Sequence, residues 1–208
     1  MNIFNSISSF TSTTKTIVTI GTFDGVHIGH KKVLNKLHNL AIEKQAESVL
    51  LTFFPHPRMV LQQDLDIKLL NTIPEKKKHI ASYDIDHLII HPFDLEFSRL
   101  TAEEFVKNVL VDQLNICAII IGYDHRFGRN RTATIEDLIN FGVKYNFEVK
   151  QITAKEIDEI AISSTKIRNA LLEGDIATAN TFFAVSWPTT YSSKKARISR
   201  GFGSFSKF

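Results

Sequence analysis

An α/β fold, a parallel sheet with helices on both faces, is predicted by three features of the sequence. Short apolar runs rich in β-branched residues alternate along the chain with longer segments of helical periodicity. The runs are apolar at consecutive positions, as strands buried on both sides require. The unusual loops GTFDGVHIGH (21–30), FFPHPR (53–58) and GYDHRFGRNR (122–131) all follow predicted strand ends. That edge is where open α/β sheets place their ligands.

The elements follow in order. IVTI (17–20) is a β-branched run stopped by Gly21, the first strand. From Ile28 to about Lys44 the apolar positions Val33, Leu34, Leu37, Leu40 and Ala41 recur at helical spacing. ESVLLTF (47–53) is a second strand, closed by the breakers of FPHP. A helix with proline at its start follows near 74–82, then DHLII (86–90) as a third strand. TAEEFVKNVLVDQL (101–114) opens on Thr101 with Glu104 three residues on, the capping-box spacing, and continues as an amphipathic helix. CAIIIG (117–122) is a fourth strand. FEVKQI (147–152) is a fifth, after a helix near 134–145. There is no internal repeat, and no low-complexity linker before about residue 184.

Composition narrows the class. With 208 residues, 43% hydrophobic and 23% charged, the chain suits one sizeable globular domain with a tail. The single cysteine, Cys117, sits in an apolar strand and reads as an inert buried thiol. No stretch approaches the roughly 18 apolar residues of a membrane span. The start, MNIFNSISSFTSTTK, lacks a secretory pattern, so a cytoplasmic protein without a membrane partner is expected. The net charge is +3, yet residues 184–208 carry five basic and no acidic side chains, leaving the first 183 residues at 20 basic and 22 acidic. A near-neutral body argues against nucleic-acid binding. Oligomeric state is not legible.

The decapeptide GTFDGVHIGH holds the clearest chemistry. Gly21, Gly25 and Gly29 allow sharp turns and close backbone approach, and the following helix presents unpaired N–H groups and a positive dipole end. His27 and His30 flank Gly29. Two imidazoles aimed at one anion form charge-assisted hydrogen bonds of about 1.5–3 kcal/mol each. A phosphate site is the leading reading; a metal pair, or a tight turn with incidental histidines, is the alternative. No Gly-Lys-Ser/Thr follows, which excludes a P-loop. Asp24 suits a turn-capping role that shapes the site, because a bare carboxylate repels phosphate. FFPHPR offers an aromatic face at Phe53 or Phe54 and, with Pro57, a stiffened loop carrying His56 and Arg58. Phe53 reads equally as a core residue. GYDHRFG adds Asp124, Phe127 and Gly128. The EKKK run (75–78) reads as a solvated helix face, and His38, His79, His87 and His91 as ordinary surface or satisfied residues.

The HIGH tetrapeptide resembles the HxGH signature of the nucleotidylyltransferase superfamily, shared with class I aminoacyl-tRNA synthetases. The longer TIGTFDGVHIGH (19–30) resembles the adenylyltransferase (FAD synthetase) module of bacterial bifunctional riboflavin kinase/FMN adenylyltransferases. LLTFFPHPR (50–58), LNTIPEKKK (70–78), FSRLTAEEFV (97–106), IIGYDHRFGRNR (120–131) and ISSTKIRNAL (162–171) match in the same order, so the likeness spans about residues 15–183. It implies a Rossmann-like nucleotidylyltransferase fold over 1–183. The activity implied is in-line transfer of AMP from MgATP to the FMN phosphate, giving FAD and pyrophosphate without a covalent intermediate.

It also assigns roles. His27, His30, Thr165 and Arg168 would be catalytic. Gly21, Phe23, Asp24, Gly25, Gly29, Ser163 and Ser164 would line the ATP site. Phe54, His56, Pro57, Arg58, Asp124, Phe127 and Gly128 would hold FMN, with Asp124 also the candidate magnesium contact. Ser163–Thr165 equally suits an ordinary helix N-cap. Other nucleotidylyltransferases and an inactive flavin- or nucleotide-binding remnant are the rival readings. Residues 184–208 are too few for the kinase module that follows in bifunctional relatives, so a basic tail without kinase activity is expected.

Overall fold

The computed structural model describes residues 1–61, 67–122, 125–153 and 162–183. One sheet holds six strands: β1 Asn2–Phe4, β2 Thr16–Ile20, β3 Glu47–Phe53, β4 His87–His91, β5 Ile116–Gly122 and β6 Glu148–Ile152. Their order is β1-β4-β3-β2-β5-β6, and every pairing is parallel. Five of the six are the strands expected from the sequence. β1 was not expected, because three half-exposed edge residues carry no periodicity; it forms by pairing Asn2, Ile3 and Phe4 with His87, Leu88 and Ile89.

Around the sheet lie α1 Ile28–Lys44, α2 Pro57–Leu61, α3 Ile73–Ala81, α4 Ala102–Glu104, α5 Ile135–Tyr145, α6 Ser164–Glu173 and α7 Ile176–Phe182. Helix α4 runs on into a π-wound stretch, Phe105–Gln113, whose last turn is closed by Leu114 N–H donating to Val109 O at 2.9 Å. The Thr101–Glu104 capping box is present at its start, as the spacing predicts.

Strand residues alternate between two cores. Ile17, Leu50, Leu88 and Ile120 point to one face, beneath α1 and α3, where Leu34, Leu37 and Ile80 meet them. Val18, Val49, Leu51, Ile89, Ile119 and Ile121 point to the other, against Val106, Leu110 and Leu138 of the π-wound stretch and α5. Both faces are therefore covered, and this is why the central strands read as mainly apolar runs.

From β2 the chain winds outward through β3 to β4, then returns across β2 to lay down β5 and β6. The order reverses between β2 and β5, so the crevice lies at their carboxyl ends. A third, smaller cluster packs α6 and α7 onto the far side of the 21–30 loop through Leu70, Ile167, Leu171 and Phe183. The expectations for Asp124 and for residues 184–208 lie outside the described residues.

Gly142 shows how tightly α5 is pressed on the sheet. A Cβ built there would lie 2.6 Å from the Phe147 carbonyl oxygen at the entry to β6. Elsewhere in a helix Gly→Ala adds about 1 kcal/mol of stability. Here Gly142→Ala is expected to cost about 1–3 kcal/mol instead, lowering the thermal midpoint by several degrees. A midpoint equal to or above that of the parent would contradict this packing.

Candidate active site

The loop between β2 and α1 is held in a conformation its side chains resist. Phe23 has φ 45° and Val26 φ 39°, both in the left-handed region, and Gly25 has φ 87°. For a β-branched valine this is a strained state, costing on the order of 1–3 kcal/mol. Asp24, 2% exposed, holds it there. Its carboxylate accepts from the N–H groups of Leu70 (3.0 and 3.1 Å) and Asn71 (3.3 Å) and pairs with the Arg168 guanidinium at 2.6 Å. The Ser164 hydroxyl donates to the Asp24 carbonyl at 2.8 Å, and Phe183 forms a backbone bridge with His27. At Gly25 a Cβ would meet Leu70 at 2.7 Å, so the residue is required by space as well as by φ.

His27 is the N-cap of α1, and its Nδ1 accepts from the His30 backbone N–H (3.4 Å) while His30 Nδ1 accepts from the His27 N–H (3.3 Å). The rings stack at 3.6 Å, 18° from parallel, and Phe23 packs on His30 at 4.7 Å. Gly29 makes room, because a Cβ there would touch the His27 ring at 3.1 Å. Accepting through Nδ1 fixes the tautomer: in each neutral ring the proton sits on Nε2, which becomes the donor offered to a ligand. Burial pushes the His27 pKa down to about 4, with Asp24 opposing. Burial, then the charges of His27 and Lys76, push His30 well below the ordinary histidine value. The free site thus holds two neutral donors, stacked at a helix N-terminus.

On the β3 side, His56 also has its pKa lowered to about 4, by burial first, with Arg168, Lys76 and Arg58 adding to it and Asp24 opposing. Its Nδ1 accepts from the Arg58 N–H at 3.2 Å. The Phe54–Pro55 peptide is cis, Pro57 begins α2, and Arg58 is exposed. Phe54 packs on the α1 side of the sheet, whereas Phe53 is a core residue among Phe93 and Phe97. Phe127 is buried beside Phe105 and stacks with His125. The close approach allowed by Gly128 (φ 70°) is to the backbone of Ala102, where a Cβ would lie 2.8 Å from its nitrogen.

The ISSTKIR segment reaches the same loop. Ser163 caps α6 by accepting from the Lys166 N–H, and Thr165 is exposed, its hydroxyl without a partner among the described residues. Arg168 donates through Nε to Lys68 O at 2.8 Å as well as to Asp24, so two of its donor groups already brace the loop. Gly21 lies under the Phe23 ring.

One expectation is overturned. Lys76 does not belong to a solvated face: it is 5% exposed, and its ammonium donates to Thr22 O at 2.6 Å. Burial lowers its pKa, with Asp24 opposing. The signal was present in the sequence, since Ile73 and Ile80 place residue 76 on the inward stripe of α3. Three other histidines make structural contacts: His38 with Asp84 O, His87 among Phe4 and Phe10, and His91 accepting from the Ile7 N–H.

His27, His30, His56 and His91 make the fold sensitive to acid. Their folded pKa values lie below the unfolded value near 6.5, so unfolding takes up protons as pH falls. The stability is complete above about pH 6.5 and is lost toward pH 4. His27 alone accounts for about 2–3 kcal/mol at pH 4.5. Denaturant unfolding of His27→Asn, which keeps a capping side chain, should show a loss over this window smaller by about 2 kcal/mol. Superimposable profiles would contradict it.

Comparison with known proteins agrees with this geometry. The FAD synthetase family model matches residues 9–166. The bifunctional riboflavin kinase/FMN adenylyltransferase of Buchnera aphidicola subsp. Schizaphis graminum is 44% identical over 163 residues, covering 78% of this chain and 52% of that protein. The FAD synthetase of Listeria monocytogenes serovar 1/2a is 34% identical over 176 residues, covering 84% and 70%. The chain spans about half the length of the bifunctional relatives it matches. A crystal structure from Streptococcus pneumoniae, described as a macrolide-efflux protein, superimposes with TM-score 0.76 at 25% identity, covering 88% of this chain and 60% of that one. No helix among the described residues here is long and apolar enough to cross a membrane. With the family model matching most of its length, and a histidine-bearing loop at the switch point of a Rossmann-like parallel sheet, the chain belongs to the FAD synthetase family.

Proposed function

We propose that this chain is an FMN adenylyltransferase, transferring AMP from MgATP to the phosphate of FMN to give FAD and pyrophosphate. The observation that carries the reading is the stacked His27–His30 pair, two Nε2–H donors at the N-terminus of α1, beside the switch-point crevice. An FMN phosphate oxygen attacks the ATP α-phosphorus in line, and the bond to the β-phosphate oxygen breaks with its electron pair leaving on pyrophosphate. Such transfers need positioning and charge stabilisation more than covalent chemistry.

His27 and His30 hold the phosphates and take up the growing charge. Gly21, Phe23, Gly25 and Gly29 shape the loop around the nucleotide, and Asp24 sets it. Ser163, Ser164 and Thr165 approach the same phosphates from α6, with Arg168 braced between them and Asp24. Phe54, His56, Pro57, Arg58, Phe127 and Gly128 form the FMN side, together with Asp124.

Magnesium enters as part of the MgATP substrate. Among the described residues there is no cluster of three or more His, Cys, Asp or Glu side chains suited to a metal. The Asp24 carboxylate is already taken by Arg168 and two backbone amides. An ion that keeps its waters and phosphate oxygens asks for few protein ligands. Residues 1–183 would form the catalytic unit, acting in the cytoplasm. The intact Asp24–Arg168 brace favours a working enzyme over a nucleotide-binding remnant.

Incubation of the purified chain with MgATP and FMN, with flavins separated by chromatography, should yield FAD. A parallel incubation with riboflavin reads any kinase activity separately. His30→Ala should lower kcat/KM by about 10²–10³-fold. Absence of FAD from FMN, with nucleotide still bound, would support the remnant.

A second outcome follows from the depressed histidine pKa values. Binding of ATP should draw in a proton near neutral pH, because an adjacent polyphosphate favours the imidazolium. Calorimetric binding enthalpies would then vary with the ionisation enthalpy of the buffer. Enthalpies independent of buffer would contradict it.

A further inference from the structure

Lys76 is a buried cation with donors to spare. Its side chain is 5% exposed, and its ammonium makes one hydrogen bond among the described residues, to Thr22 O. An ammonium has three donors. The Asp24 carboxylate, which acts on it electrostatically, is already committed to Arg168, Leu70 and Asn71. Burying a charge this incompletely satisfied is costly. A neutral donor would pin the Thr22 carbonyl as well.

Its position suggests what completes the set. Thr22 O also accepts from the Thr52 hydroxyl at 3.1 Å, which ties the end of β2 to the end of β3. The Lys76 ammonium therefore lies at the seam between the histidine loop and the His56 loop. Its charge is felt by His30 on one side and by His56 on the other. A second buried residue near the same Asp24 carboxylate is unsatisfied. Asn71, 4% exposed, has neither its amide nitrogen nor its amide oxygen hydrogen-bonded among the described residues, while its backbone N–H contacts Asp24. Two incompletely satisfied buried polar residues that share Asp24 as a neighbour mark a place for a polar ligand.

We propose that Lys76 is a catalytic residue of the transfer, its ammonium contacting phosphate oxygens where the FMN phosphate and the ATP α-phosphate meet, with Asn71 as a neutral partner. The inference rests on the adenylyltransferase reading. Bond formation brings two anions together and builds charge on the oxygens of the α-phosphorus. A desolvated cation at that seam offsets the repulsion and strengthens as the charge grows. Lys76 makes no new bond and transfers no proton.

Two non-reacting probes, α,β-methylene-ATP and FMN, read binding without turnover. Lys76→Met keeps the apolar stem and removes the charge. It should bind α,β-methylene-ATP about tenfold to hundredfold more weakly than the parent chain, with circular dichroism unchanged. In turnover, kcat should fall while the KM for FMN changes less, and Lys76→Arg should recover part of the loss. In case Lys76→Met does not fold, the Asn71 side-chain amide resonances of the wild-type chain should shift on adding the analogue and FMN together.

Equal affinity for the analogue in wild type and Lys76→Met, or unmoved Asn71 resonances at saturation, would overturn the inference. So would a wild-type chain that does not bind the analogue. A wild-type chain that binds it through Lys76 but makes no FAD would instead remove the proposed function, and leave Lys76 as a nucleotide-phosphate ligand.

Discussion

The Asp24 carboxylate is the constraint on which the rest of the site depends. It is a buried anion, and a buried anion is tolerable only when its lone pairs are taken. Leu70 and Asn71 from the chain before α3, and Arg168 from α6, take them. One small side chain therefore gathers segments more than forty and more than a hundred residues away in sequence onto the loop that follows β2. The unfavourable backbone of Phe23 and Val26 persists because this clamp over-determines it. Without it, His27 would lose the fixed position from which its ring caps α1 and stacks on His30.

Around that anchored anion the site is cationic in layout but largely uncharged in its free state. His27, His30 and His56 are all held neutral, chiefly by burial, and Lys76 is biased toward losing its proton by the same cause. The neutral state limits mutual repulsion while the crevice is empty. A polyphosphate bound there would reverse the balance, because its negative charge would favour each protonated form. Desolvation would thus act as a reserve of interaction that appears only with such a ligand. The stacked histidines cannot both charge cheaply at 3.6 Å, so their titrations are coupled and the pair would share one incoming proton.

Much of the scaffold was legible in the sequence. The β-branched runs located five strands to within a residue, because most positions of the strands at the centre of the sheet are buried and apolar. The capping box at Thr101 and the proline start of α3 were readable for a similar reason, since a single residue type does a single local job there. β1 was not legible: three exposed edge residues acquire their strand character only from β4. The π winding of Phe105–Gln113 was hidden because the buried set Phe105, Val106, Val109 and Leu110 satisfies helical spacing as well. Lys76 was misread because a run of like charges was judged by composition, whereas its place on the inward stripe of α3 was set by Ile73 and Ile80. Motif residues were found by type and spacing; what each side chain holds required the tertiary contacts. Arg168 is the clearest instance, as its sequence neighbours suggest phosphate while its Nε and one Nη brace Lys68 O and Asp24.

The distribution of unsatisfied polar groups separates scaffold from site. At the opposite end of the sheet Asp86 takes both the N–H and the hydroxyl of Ser48 and the Thr16 hydroxyl is given to Leu114 O, while the buried His87 ring leaves its Nδ1 unbonded among the described residues. At the carboxyl ends of β2 and β3 the reverse holds. The Asn71 amide, the spare donors of Lys76 and the Nε2–H groups of His27 and His30 all lack partners among the described residues. Such a concentration is costly, and it is sustained by the two apolar cores that fix the sheet beneath it. Among the described residues, most of these open valences lie at the carboxyl edge of the sheet. The chemistry of that edge, many donors around one committed carboxylate, is complementary to phosphate.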